Sequence, residues 1–115
     1  MLGDLVVKGT FPGLDKAPTP KPEVAASVKV YVMPANTLLP GGVTVWTPAK
    51  PHTAGQVVQF QMTFLDVNFP TGANTVRVAL VDDDGTENAG VSVVFNATDQ
   101  GPTEATGVTA VFTPK

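Results

Sequence analysis

Apolar and polar residues alternate along two neighbouring runs near the middle of the chain. In residues 57–65 (VVQFQMTFL), Val58, Phe60, Met62 and Phe64 fall on one side and Gln59, Gln61 and Thr63 on the other. Successive side chains of a strand point to opposite faces, so this pattern predicts a half-buried strand. Residues 75–81 (TVRVALV) set Val76, Val78 and Leu80 against Thr75, Arg77 and Ala79. The β-branched residues that dominate this run suit a pleated surface. Phe69-Pro70-Thr71-Gly72 lies between the two runs and reads as a turn. Shorter runs of the same kind occur at residues 4–10, 27–33, 43–47, 91–95 and 107–113. In the second of these Val28, Val30 and Val32 share a face, and in the last Val108, Ala110 and Phe112 do so. Seven short runs punctuated by turn residues, with no helical period, predict an all-β antiparallel sandwich of about seven strands. A jelly roll or a small barrel is compatible with the same pattern.

Three places carry a choice of phase or surface. If Val43 and Val45 face inward, Trp46 faces out, where with Tyr31 it would form a stacking platform for a sugar or a protein. A bulge would instead turn Trp46 inward to cover the rim of the core. Residues 37–42 (TLLPGG) read as a loop in which one of the adjacent Leu38 and Leu39 points away from its neighbour, either to cap the core or to stand as apolar surface. Residues 82–88 (DDDGTEN) bring four carboxylates together. Their spacing does not fit a helix-loop-helix calcium site, and Asp84-Gly85 predicts an acidic hairpin turn.

Residues 11–23 (FPGLDKAPTPKPE) hold prolines at 12, 18, 20 and 22, a density that neither helix nor sheet ladder accepts. An extended segment of polyproline type is expected. This divides the chain into an N-terminal strand and arm, residues 1–25, and a sandwich domain, residues 26–115, that should fold without it. The arm is either a tether or an element that packs on a neighbouring subunit, with Phe11 and Leu14 as its anchors.

Composition narrows the chemistry. The 115 residues contain no cysteine and one histidine, which leaves no ordinary zinc site and no disulfide. Neither Ser27 nor Ser92 lies in the strained turn of a hydrolase nucleophile, and His52, next to Pro51, reads as a solvated loop residue. No catalytic residue, cofactor or metal is therefore expected. Seven scattered basic residues and a formal charge of −3 argue against a nucleic-acid partner. No apolar run approaches the ~20 residues of a membrane-spanning helix. The first residues lack the basic start and oily centre of a secretory signal, which predicts either use without secretion or a signal already removed.

The segment TVRVALVDDDGTENAGVSVVFNATDQG, residues 75–101, resembles the late strands of immunoglobulin-like bacterial and phage domains. It has a valine-alternating strand, an acidic turn, a second strand and Thr98-Asp99-Gln100-Gly101. In composition and layout the whole chain resembles the accessory proteins of phage heads, the decoration or cement class. That resemblance implies an immunoglobulin-like sandwich in a multi-copy structural protein of the virion, made in the host cytoplasm. It implies capsid proteins or other copies of the chain as partners, and a homo-oligomer. The contacts would come from the arm (Phe11, Leu14) and from apolar loops (Leu38, Leu39, Phe69), with Trp46 as a further contact. The alternative is a carbohydrate-binding or adhesion module that uses exposed aromatics.

Overall fold

The computed structural model describes residues 1–13, 25–53, 55–98 and 106–114. Seven strands lie within them: β1 (Leu2–Pro12), β2 (Ser27–Met33), β3 (Thr37–Leu38), β4 (Val43–Thr47), β5 (Val57–Asn68), β6 (Gly72–Val81) and β7 (Val91–Ala97). They form a three-stranded sheet in the order β1-β5-β4 and a four-stranded sheet in the order β3-β2-β6-β7. Every pairing is antiparallel. The fold is all-β, as the alternation predicts, and one apolar core draws on both sheets.

The core follows the period of two. On the three-stranded sheet Leu5, Val7, Gly9 and Phe11 of β1 stand opposite Phe64, Met62, Phe60 and Val58 of β5. All but Leu5 and Gly9 are buried, and Leu5 packs against the cluster. Val28 and Val30 of β2 and Val76 and Val78 of β6 close the core from the four-stranded sheet. Fully burying such side chains contributes about 1.5–3 kcal/mol each. Gly9 lacks a Cβ for a steric reason, since one built there would lie 2.5 Å from Cε1 of Phe60.

The link between β5 and β6 is a corner. These two strands do not pair; the chain leaves one sheet at Asn68 and enters the other at Gly72. The phase of β5 changes just before the corner. The β1–β5 register shifts between Gly3 and Leu5, and Asp66 adopts φ 53 with its N–H donating to Oδ1 of Asp4 at 3.1 Å. This bulge turns Val67 and Phe69 toward the core after a run in which the even-numbered residues pointed there. Phe69 then meets Phe95 of β7 edge-on, with centroids 5.0 Å apart.

Three expectations are corrected and one open choice is settled. The N-terminal strand is not separable from the sandwich, because β1 is hydrogen-bonded along β5 and contributes Val7 and Phe11 to the core. A boundary at residue 25 therefore cuts through the domain. Residues 37–38, read as a loop, form β3 against Val32 and Tyr31. Residues 107–113, read as the last strand, pair with nothing among the described residues, and Val108, Val111 and Phe112 are exposed. In β4, where either phase was open, Trp46 turns inward to cover the rim of the core, and it does so without a bulge: Thr44 and Trp46 face the interior while Val43 and Val45 are exposed. Most of the proline-rich segment, Leu14 included, lies outside the described residues.

Candidate functional site

Behind β1, four rings gather where β1, β4 and the loop after β4 meet. Phe11 packs edge-on against Trp46 with centroids 5.6 Å apart, and it lies 6.3 Å from Phe60 and 6.4 Å from His52. Trp46 and His52 are also 6.4 Å apart. His52 is 5% exposed, and its Nε2 lies 2.9 Å from the carbonyl oxygen of Pro48. The solvated loop histidine expected from sequence is thus a core residue. Gly13 admits it, since a Cβ there would come within 2.8 Å of the His52 Cβ. The Lys50 ammonium stands 4.6 Å from the Trp46 ring centroid and donates to the carbonyls of Ala25 and Ala26 at 3.2 and 2.9 Å. Lys50 thereby ties the loop to the chain entering β2 and covers the indole.

A second cluster occupies the outer face of the four-stranded sheet. Tyr31 and Arg77 are cross-strand partners, and the guanidinium lies 4.4 Å from the phenol ring centroid. Arg77 donates through Nε and Nη2 to Oδ1 of Asn36, and through Nη1 to the carbonyl of Ala89. The Tyr31 hydroxyl donates to Oε1 of Glu87 at 2.6 Å. That hydrogen bond to a carboxylate is the main reason the phenol is harder to ionise than an ordinary tyrosine. Tyr31 and Trp46 therefore belong to different sheets, each has a cation against its ring, and they share no stacking face.

The acidic turn is organised by its own backbone. Oδ1 of Asp82 accepts from the N–H groups of Asp84 and Thr86, and Oδ1 of Asp84 accepts from the N–H and the hydroxyl of Thr86. Asn88 clasps Leu80 in both directions, through N–H to carbonyl and through Oδ1 to the Leu80 N–H. Gly85 takes φ 90 at the tip. The arrangement is that of a β6–β7 hairpin.

Of the expected contact residues, Phe11 and Phe69 are buried in the chain's own core and are not surface anchors. Leu39 packs against the core while Leu38 stays exposed, so one leucine caps and the other does not. Trp46 is a half-buried member of the ring cluster.

The surface that sequence reasoning missed is the outer face of the three-stranded sheet. Val6, Val43, Val45, Val57 and Leu65 are all exposed there. Register places Val6, Thr63 and Val43 in one row across the sheet, Lys8, Gln61 and Val45 in the next, and Thr10, Gln59 and Thr47 in a third. Lys8 is the one charged residue in these rows. Thr47, Gln59 and Gln61 border a shallow depression of about 300 Å³ beside Lys8 and Thr10. The missed signal was the alternation of β4 itself, which permits either phase. Pairing with β5 decides it, by setting Trp46 beside Phe60. No family model matches the chain, and no curated protein and no solved structure is significantly similar to it.

Proposed function

We propose that this chain is a non-enzymatic structural protein of a virion, present in many copies and attached to the shell through its sheet surface. The observation that carries the reading is the outer face of the three-stranded sheet. There Val6, Val43, Val45, Val57 and Leu65 are exposed among threonines and glutamines, with Lys8 the one charge in the rows. A sheet face whose three central rows carry a single charge and three exposed valines, Val6, Val43 and Val45, suits burial against another protein better than permanent exposure to water. On a symmetric shell many weak contacts of this kind add to firm attachment. Leu38 supplies a smaller exposed apolar point on the other sheet.

The strand orders support the immunoglobulin-like part of the reading. β1-β5-β4 follows the pairing of strands B, E and D in an immunoglobulin-type sandwich, and β3-β2-β6-β7 follows C′, C, F and G. The absence of catalysis is part of the proposal. His52 is packed among rings at one edge of the core, while Ser92 sits beside Arg77 on the other sheet.

The test is quantitative mass spectrometry of virus particles purified from the natural source. Many copies per particle are expected, with incorporation lost in a Val45→Glu variant that still folds. Purified particles without the chain would overturn the reading.

A further inference from the structure

The two sheets do not close on each other along the side where β1 faces β7. A cleft of about 230 Å³ opens there, and its apolar lining is Val7, Phe60, Val78, Leu80, Val91 and Val93. Val91 and Val93 are exposed although they point into this cleft. Further along the same side a second opening is bounded by Leu5 and Val67 on one sheet and by Phe95 and Ala97 on the other. β1 pairs only with β5, and β7 only with β6, among the described residues, so each has a free edge on this side. If the strand orders are those of an immunoglobulin-type sandwich, the vacant position beside β1 belongs to the first strand, A.

The chain contains a segment with the properties of that missing strand. Residues 107–113 (GVTAVFT) alternate Val108, Ala110 and Phe112 with Thr109, Val111 and Thr113, and they carry no charge. In this structure they make no ladder and stand in solvent, with Val108 73%, Val111 88% and Phe112 90% exposed. Seven residues span about 23 Å as a strand, and β7 on the far side of the cleft is also 7 residues long. An unpaired strand with an oily face and a sandwich with an oily slot thus coexist in one chain, and the strand does not fill its own slot.

We infer that residues 107–113 of one copy insert as an edge strand beside β1 of a second copy, with Val108, Ala110 and Phe112 in the cleft between the sheets. Backbone hydrogen bonds along the free edge supply affinity, and the alternate side chains fix register. Such a head-to-tail contact forms a ring where the rotation closes and a chain of subunits where it does not. The inference deepens the assembly reading and rests on it for the choice of another copy as the occupant.

The test uses the full-length protein in solution, so its outcome is separate from whether particles contain the chain. Light scattering across a range of concentrations is expected to give masses above the monomer. Phe112→Asp places a carboxylate in the cleft and should weaken self-association about a hundredfold or more. Val111→Asp, on the opposite face of the inserted strand, should leave it nearly unchanged. Because the protein has no cysteine of its own, Val93→Cys and Phe112→Cys proteins can be mixed and oxidised. A disulfide between the two different chains is expected. A monomeric wild type at every concentration, association indifferent to Phe112→Asp, or a disulfide formed within one chain of the double variant would overturn the inference.

Discussion

Phe11 meets Trp46 edge-on, with ring centroids 5.6 Å apart and planes at 87°, and this contact makes the start of the chain part of the core. Phe11→Ala should cost about 3–5 kcal/mol of stability, the usual range for emptying a buried aromatic site. Urea unfolding followed by the fluorescence of Trp46, the one tryptophan, measures it. Deleting residues 1–12 removes β1 entirely and should leave no cooperative transition, where a dispensable arm would leave the transition intact.

Gly9 lies under the ring of Phe60, and an added Cβ would approach Cε1 to 2.5 Å. Gly9→Ala should therefore destabilise the fold by about 1–3 kcal/mol, the range for overpacking a well-filled site. The same substitution at Gly3, where a Cβ would meet nothing within 4 Å, should stay within about 0.5 kcal/mol of wild type. Comparing the two urea midpoints separates the steric effect from any general cost of losing a glycine in β1.

Tyr31 reports on its bond to Glu87. It is the one tyrosine, so the rise of phenolate absorbance with pH follows it alone. Its pKa is raised above the ordinary 10.0, first because its hydroxyl donates to the Glu87 carboxylate. A folded-state pKa above the unfolded one means that the stabilisation is complete below the unfolded value and disappears as pH rises through the folded value. The titration midpoint should lie above 10.0 in the native protein, and Glu87→Gln should lower it. Stability should fall as pH rises from 10.0 through that midpoint and level off above it, and near neutral pH, where the phenol's contribution is complete, this group should add no pH dependence.

Val43 and Val45 expose their side chains on the outer sheet face. Val43→Thr and Val45→Thr keep a β-branched residue there and should change stability by no more than about 0.5 kcal/mol. Val45→Glu should likewise fold, with a native near-ultraviolet spectrum, and under the proposed function it should be missing from purified particles. A stability loss comparable to that at Phe11 would mean that Val45 packs in the core.

The strands whose two faces differ sharply were legible in the sequence. β5 buries Val58, Phe60, Met62 and Phe64, and β2 and β6 bury Val28, Val30, Val76 and Val78, as alternation alone predicts. β4 was not legible, because Val-Thr-Val-Trp-Thr offers an apolar residue to either face. The choice depends on the cavity that Phe11 and His52 leave for the indole, which is a long-range relationship. The same holds for His52: a proline-flanked loop reads as solvent-exposed until the rings of Phe11 and Trp46 fold over it. The bulge at Asp66 left only a weak trace, Leu65 next to Asp66 where the alternation breaks. Residues 107–113 have the pattern of a strand, but pattern does not say where the partner is. Pairing belongs to the sheet edge, and the edge that fits lies across a cleft which only the packed sheets define.

The most direct test is amide hydrogen exchange of residues 107–113 in the full-length protein, measured at low and high protein concentration. Insertion into a second copy predicts fast exchange when dilute and slow exchange when concentrated, with the free edge of β1 becoming protected over the same range. Exchange at the rate of an unstructured peptide at every concentration would contradict it.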